Sequence, residues 1–272
     1  MRSRQPEPLY RERGERTDTD DATVYTADVT SVQTPQNPHD EPKLVAAMFG
    51  RIAGRYDLMN RLLSFGMDGG WRRFAAKQTD LKPGERALDI ATGTADLAFE
   101  LRKKVGPNGK VVGLDITREM LILAVDKVKK HPEREVDLHE GDAMNLPYRD
   151  GVFQATTMAF GGRNVPDLTG AFREMCRVMS PGGKAVFLEL NRPHVWGFRH
   201  LFDFYFHTFS PLVGGLISGD RSAYKYLPDS VDKFESVGDI SVLMRNAGLV
   251  DVRVKRLMFG VANVHVGSAP GR

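Results

Sequence analysis

One cysteine, Cys176, occurs in 272 residues. A disulfide framework is thereby excluded, and a cysteine-based metal site has too few ligands. Such cysteine usage suits a reducing, cytoplasmic compartment. No uninterrupted apolar run approaches the ~18 residues a membrane-spanning helix needs. No apolar stretch follows the early arginines as it would in a signal peptide, and Glu7, Glu12 and Glu15 speak against an acid-poor transit peptide. Charge of one sign is also lacking. The 38 basic and 35 acidic residues leave a net charge of +3, so nucleic-acid binding is not expected despite an isoelectric point near 8.9. Internal repeats and low-complexity tracts are absent.

What is present is ample core material, 41% hydrophobic residues, set unevenly along the chain. Residues 1 to about 42 hold five prolines (Pro6, Pro8, Pro35, Pro38, Pro42) among charges and few large apolar groups. Such a segment cannot bury enough surface to offset its ordering entropy, and it reads as a disordered tail. Residues 43–272 read as one domain that opens with helices over 43–80. Leu44, Ala47, Met48 and Ile52 recur at spacings of three and four, with glycines at 50, 54, 66, 69 and 70 breaking the run into short helices.

A different rhythm follows. Short apolar runs at Arg86–Ala91, Lys110–Leu114, Glu135–His139, Val152–Met158 and Lys184–Leu190 predict five strands. Helical periodicity lies between them at Asp96–Val105, Glu119–Lys130 and Leu168–Met179, the last stopped by Ser180-Pro181-Gly182-Gly183. Asp239–Ala247 is a further helix, and Val250–Leu257 and Val261–Gly267 are two more strands. Strands alternating with helices of this length imply an α/β fold, a mostly parallel sheet with helices on both faces. An aromatic stretch from Trp196 to Ile217 interrupts the alternation, within a helical insertion spanning about 194–235.

The turn Leu88-Asp89-Ile90-Ala91-Thr92-Gly93-Thr94-Ala95-Asp96 joins the first strand to the helix after it. Ligands of open α/β sheets sit beyond the carboxyl ends of the strands, at such turns. Ala91, Gly93 and Ala95 would let a ligand approach the backbone closely. A dinucleotide fingerprint wants a third glycine where Asp96 stands, and that acid would repel a pyrophosphate at a helix N-terminus. The lysine of a phosphate-binding loop is missing too. S-adenosylmethionine, which carries an ammonium and a sulfonium but no phosphate, fits such a loop, with Asp89 placed to meet the ammonium directly or through water. Taken alone, the turn reads equally as an ordinary connection with Asp96 as a capping residue. Asp115 at the end of the second strand adds an acid suited to both ribose hydroxyls. Asp142, after the third strand, can bond an adenine amino group, with Ala143 leaving room for the ring. Each acid alone is also explained by a turn or cap; three after successive strands are harder to explain so.

The chain resembles a known family, the UbiE/MenG/COQ5 C-methyltransferases of menaquinone and ubiquinone biosynthesis. The resemblance rests on Tyr56-Asp57-Leu58-Met59-Asn60-Arg61-Leu62-Leu63-Ser64-Phe65-Gly66 with Trp71, on Phe160-Gly161-Gly162-Arg163-Asn164-Val165, on Arg177 to Lys184 continuing to Glu189, and on Ser222 to Leu227 with Ser230. It runs from about Lys43 to Gly267. It implies a class I S-adenosylmethionine methyltransferase, a Rossmann-like sheet of seven strands with the last antiparallel. Cofactor contacts carry over to Thr94, Asp115, Asp142 and Ala143, with Gly93 and Asp89 in the same loop. The chain departs from the usual pattern at Asp68 (often histidine), Ala95 (glycine), Ala159 (serine), Ser180 (lysine) and Asn191 (serine).

The reaction so implied is methylation of a ring carbon of a reduced polyprenyl quinone. Demethylmenaquinol is the first expectation, and 2-polyprenyl-6-methoxy-1,4-benzoquinol the alternative. Such a carbon is a weak nucleophile until a neighbouring hydroxyl ionises, so the enzyme must favour the phenolate and hold the carbon in line with the methyl. Arg163 suits stabilisation of the oxyanion, Asn164 suits the other ring oxygen, and Tyr56 and Asp57 are further pocket residues by resemblance. Spacing alone would instead pair Arg163 with a helix acid and pack Tyr56 in the core. His207, His265, Tyr224 and Tyr226 are weaker candidates, and Cys176 reads as core. The aromatic stretch reads either as a groove for a polyprenyl tail that also touches the inner membrane surface, or as a cover over the sheet edge. A homodimer is compatible with the sequence. Another methyl acceptor and a non-catalytic cofactor-binding scaffold remain rival readings.

Overall fold

The computed structural model describes residues 50, 53–55, 57–193, 195–205, 208 and 230–271. The expected tail, Tyr56, His207, Tyr224, Tyr226 and most of the aromatic insertion lie outside these residues. Residues 57–63 are helical, as the N-terminal pattern predicts.

Helix α1 (Asp68–Gln78) leads into strand β1 (Arg86–Ile90), and α2 (Asp96–Val105), β2 (Lys110–Asp115), α3 (Arg118–Lys130) and β3 (Asp137–Glu140) follow. The chain continues through β4 (Phe153–Ala159), α4 (Leu168–Val178) and β5 (Met179–Leu190). The last elements are α5 (Trp196–Phe204), α6 (Val237–Asn246), β6 (Val250–Leu257) and β7 (Ala262–Ser268). Helix α2 and strand β6 have the predicted bounds, and most other ends agree within two residues. One difference is physical. Ser180-Pro181-Gly182-Gly183 is not a break between helix and strand but an excursion within β5. Phe153 pairs with Met179 while Ala155 pairs with Lys184, so the turn is extruded from the ladder, with Gly182 at φ +77°.

The sheet has seven strands in the order β3-β2-β1-β4-β5-β7-β6. All neighbouring pairs are parallel except those made by β7, which runs antiparallel to both β5 and β6. This is the mostly parallel sheet that the strand–helix alternation predicts, with the antiparallel last strand that the resemblance implies. Alternation along the strands splits the core in two. Ala87, Val111, Ala155, Val186, Leu188 and Val264 face α1, α2 and α3, whereas Leu88, Ile90, Val112, Met158, Phe187 and Ala185 face α4 and α6. Strands buried on both faces read as nearly continuous apolar runs, and a polar residue inside one therefore stands out. Asp89, Thr156, Thr157 and Glu189 are such residues. Among the described residues no helix is long and apolar enough to cross a membrane.

After β3 the chain crosses back to form β4 on the far side of β1, so the strand order reverses between β1 and β4. In open α/β sheets the crevice above such a reversal is where ligands bind.

Candidate active site

Two loops flank that crevice, Ala91–Ala95 after β1 and Phe160–Val165 after β4. They touch. A Cβ built on Gly161 would lie 2.5 Å from the Cβ of Ala91, and one on Gly162 would lie 2.3 Å from the Phe187 ring. Glycine at both positions is therefore what lets the Arg163–Asn164 segment lie against the β1 loop and down on the sheet. The loops are also conformationally costly. Ala91 (φ +52°), Ala95 (φ +68°) and Phe160 (φ +58°) are all left-handed without being glycine. Strain of this kind gathers at ligand sites, where the surrounding structure enforces it.

Asp89 is 1% exposed at the end of β1. One carboxylate oxygen accepts from the Thr92 hydroxyl at 2.7 Å and the other from the Thr157 hydroxyl at 2.6 Å. Burial pushes its carboxyl up from the ordinary 3.8 to about 6, against the pull of these bonds and of the Arg72 charge. Asp115 ends β2 beneath the loop. It accepts from the Gly93 N–H at 2.7 Å and the Thr117 N–H at 2.8 Å. Burial raises its carboxyl as well, opposed by those backbone donors. Gly93 has φ +55°, and a Cβ built there would meet nothing within 4 Å. That face of the loop is open to a ligand. Asp142, after β3, takes the Met144 N–H on Oδ1 at 2.8 Å, and Ala143 packs on the α4-side core. Asp89, Gly93, Asp115, Asp142 and Ala143 thus line successive strand ends along one edge of the sheet.

Thr94 is buried, and its hydroxyl donates to Asp57 Oδ1 at 2.6 Å. Asp57 belongs to the helical segment before α1. That segment is therefore fastened to the loop.

The arginine of the second loop does not pair with a helix acid. Arg163 Nη1 donates to Glu189 Oε1 at 2.7 Å and to the Phe160 carbonyl at 2.7 Å, while its backbone N–H reaches Glu189 Oε2 at 3.3 Å. The partner is a strand acid. The two side chains are 5% and 1% exposed. Arg163 Nε is buried with no hydrogen-bond partner. An arginine so held keeps its charge locally balanced, and its orientation is set by Glu189 rather than by solvent. Asn164 closes the same short turn, its N–H bonded to the Gly161 carbonyl at 3.0 Å.

A second arginine supports the loop from the other side. Arg72 of α1 is buried, ion-paired with Asp68, and lies over the Phe160 ring at 5.2 Å. Trp71 packs on the same ring at 6.3 Å. Asp68 also accepts from the Ser64 hydroxyl at 2.9 Å. Burial pushes the Asp68 carboxyl up, but the Arg72 charge and the bonds it receives outweigh that and hold it below the usual range. His265 is fully buried on β7 with Nε2 on the Val237 carbonyl at 3.0 Å, and burial pushes it down to about 4, so it is a neutral packing residue. Cys176 is half-buried against the core, and burial raises its thiol.

With this geometry in hand, comparison with known proteins gives a consistent result. The ubiE/COQ5 methyltransferase family model matches residues 36–269. The chain belongs to the ubiE/COQ5 methyltransferase family. It is 40% identical over 223 residues to a demethylmenaquinone methyltransferase of Bacillus cytotoxicus, covering 82% of this chain and 94% of the relative. A protein of the same name from Desulfitobacterium hafniense is 40% identical over 232 residues, covering 85% and 92%. Among solved structures, a SAM-dependent methyltransferase from Thermotoga maritima aligns with a TM-score of 0.58 at 20% identity, covering 83% of this chain and 99% of that one. The [4+2]-cyclase SpnF aligns with a TM-score of 0.63 at 16% identity, covering 85% and 97%. These structures share the class I methyltransferase fold.

Sequence reasoning missed three residues that support these loops from behind: Glu189, Arg72 and Lys127, the last bonded to Thr94 and Asp96. Glu189 carried a signal, a lone acid inside the apolar run Phe187-Leu188-Glu189-Leu190. Arg72 carried one in Asp68, a helical turn before it, but its place over Phe160, like the partners of Lys127, comes only through tertiary packing. Glu189→Gln keeps the shape but strands the Arg163 charge in a buried setting. We expect it to lower unfolding free energy by roughly 3 kcal/mol or more, read from urea denaturation. A loss under about 1 kcal/mol, the scale of an exposed pair, would show that the pair is effectively solvated.

Proposed function

We propose that this chain is an S-adenosylmethionine-dependent C-methyltransferase that converts demethylmenaquinol to menaquinol. The observation that carries the proposal is the contact between the β1 loop and the Arg163–Asn164 segment at the strand reversal. A cofactor on the first loop and an acceptor ring at the second would be neighbours. The curated relatives named demethylmenaquinone methyltransferase support the choice of acceptor.

The residues fit the cofactor. The loop offers small residues, left-handed backbone and an open face at Gly93, with acids where a phosphate binder would need donors. Asp115 retains lone pairs for the ribose hydroxyls beyond its two backbone bonds. Asp142 takes the adenine amino group with Ala143 beside the ring, and Thr94 and Gly93 frame the loop around the methionine part. Asp89, buried at the end of β1, would attract the ammonium directly or through water. When bound, S-adenosylmethionine supplies an electrophilic methyl on its sulfonium.

The rest is done by the acceptor side. A hydroquinone ring carbon attacks well only when an adjacent hydroxyl is ionised. Arg163, held by Glu189 and Phe160, presents its remaining N–H groups to that oxyanion. Arginine stays protonated, so it stabilises the phenolate without removing a proton. Asn164 bonds the second ring oxygen, and Tyr56 completes the pocket. The ring's electron pair would form the carbon–methyl bond as the sulfonium–methyl bond breaks to leave a neutral thioether, and the proton on that carbon would then pass to solvent, restoring aromaticity.

The polyprenyl tail implies work at the cytoplasmic membrane surface, with the helices before α1 and the insertion around α5 forming the substrate side. Supporting features are exposed Leu58, Leu62 and Phe65 on the first and Phe204 on the second. The two are joined by Tyr205, whose ring packs tilted on Phe65 at 5.1 Å and whose hydroxyl donates to the Leu63 carbonyl at 3.2 Å.

The deciding experiment incubates the protein with methyl-labelled cofactor and either demethylmenaquinol or 2-polyprenyl-6-methoxy-1,4-benzoquinol. Label is expected in menaquinol; label in the benzoquinol alone would overturn the assignment. In the same assay Arg163→Lys keeps a charge opposite Glu189 but loses the fork of donors. It is expected to lower kcat by about 100-fold with cofactor affinity unchanged.

Asp89 adds a pH prediction. Its carboxylate form, which attracts the ammonium, dominates only above about pH 6. Cofactor affinity should therefore rise as pH rises through 6 and level off above, and Asp89→Asn should flatten this profile in titration calorimetry. Without cofactor the sign reverses for stability. The folded state holds an extra proton between 3.8 and about 6, so stability falls as pH rises through that window.

A further inference from the structure

Lys127 lies in the last turn of α3, more than thirty residues from the loop it touches. Its Nζ donates to Asp57 Oδ2 at 2.6 Å, to Asp96 Oδ1 at 2.6 Å and to the Thr94 hydroxyl at 2.9 Å. An ammonium has three N–H donors, and here each has an acceptor. Thr94 completes a ring by donating its own proton to Asp57 Oδ1. The three acceptors belong to different parts of the chain: the helical segment before α1, the β1 loop, and the first residue of α2. Thr94 lies between Gly93 and Ala95, both left-handed, so the anchored residue is the centre of the strained turn.

We propose that Lys127 is a positioning residue that clamps the N-terminal helical segment onto the cofactor loop, so that cofactor retention depends on it and methyl transfer at saturating cofactor does not. An exposed ion pair would be worth little. Lys127 is 27% exposed and Asp57 and Asp96 are 39% and 36% exposed, but the hydroxyl they converge on belongs to a residue only 3% exposed. Without the ammonium, Asp57 and Asp96 would be like charges sharing no counter-ion, and their repulsion would lift the segment from the loop. A planar guanidinium cannot aim three donors at this tetrahedral set, so arginine is no substitute. Lys127 contacts neither Arg163 nor Glu189. The Arg163–Glu189 pair is thus left in place, and saturating cofactor, by the same coupling, draws the segment back onto the loop. This inference rests on the reading that the β1 loop holds S-adenosylmethionine.

The test measures cofactor Kd by calorimetry, and kcat and quinol KM at saturating cofactor, in Lys127→Met and Lys127→Cys. Both are expected to weaken cofactor binding about tenfold, as a lost closure coupled to binding would, while kcat and quinol KM stay within about twofold. Alkylating Lys127→Cys with 2-bromoethylamine restores an ammonium on a side chain of nearly lysine length. It should recover most of the affinity, with alkylated wild type controlling for Cys176. Wild-type affinity in both variants, a loss confined to kcat, or no recovery on alkylation would each overturn the clamp. Should the Lys127 variants fail to fold, Asp57→Asn is measured instead. Weaker cofactor binding there supports the clamp and unchanged binding overturns it. Asp115→Asn separates the two levels. If it leaves cofactor affinity unchanged, the loop is not the cofactor site and the clamp falls with that reading; if it weakens binding while Lys127→Met does not, the clamp alone falls.

Discussion

The parallel pairing of β1 with β4, Ala87–Ile90 against Ala155–Met158, is the constraint from which the site follows. Those strands are neighbours in the sheet but far apart in sequence, because β2 and β3 build outward from β1 before the chain returns. Their carboxyl ends must then lie side by side, and the helices that follow them depart to opposite faces of the sheet. A crevice opens between. Each loop at its rim is short, and each must turn sharply to reach its helix. Left-handed Ala91, Ala95 and Phe160, and the close approach of Gly161 to Ala91, are consequences of that geometry. The strain is held by well-packed strands beneath, which is why non-glycine residues persist there.

Buried charge is managed in a different way at each strand end. Asp89 has two hydroxyl donors and only the Arg72 charge to oppose burial from outside those bonds, so burial dominates and its carboxyl rises to about 6. Asp115 has two backbone N–H donors, which oppose the same burial. Glu189 has a full countercharge in Arg163. The differences suit different tasks. A weakly compensated acid gains most from an incoming cation, whereas an acid already paired serves to orient its partner. The two ends of the crevice thus differ electrostatically before any ligand arrives, with a weakly compensated acid over β1 and a balanced pair over β5.

Much of the fold was readable from the chain because its strands are buried on both faces and its helices on one. Leu97, Ala98, Leu101 and Val105 spell out α2, and the apolar run Val111–Leu114 can only be an interior strand. Asp89, Asp115 and Asp142 were visible because acids at the ends of such runs break a pattern. The mispredicted turn at Ser180–Gly183 shows where local reasoning fails. Pro-Gly-Gly marks a sharp bend, but whether the bend ends a strand or is extruded from one depends on the neighbour, here Phe153. The same holds for pairing. Nothing near Arg163 in sequence announces Glu189, 26 residues on, and nothing near Asp57 announces Lys127. Residue type was legible; partnership required the sheet.

Fold alone does not choose the chemistry. A [4+2]-cyclase shares this architecture with a TM-score of 0.63, above that of the aligned methyltransferase from Thermotoga maritima. Function must then reside in what is placed on the common frame. In this chain two placements differ in kind. The β1 loop with its successive acids is a property of the frame's cofactor edge, and a protein could keep it while changing its reaction. The Arg163–Asn164 turn is not demanded by the frame: its glycines are fitted to Ala91 and to Phe187, and its arginine to Glu189. Six positions on one strand and two loops must agree for that turn to sit where it does. Such mutual fitting, at the place where the proposed acceptor would meet the cofactor, is the reason the proposal rests on the turn after β4 more firmly than on the loop after β1.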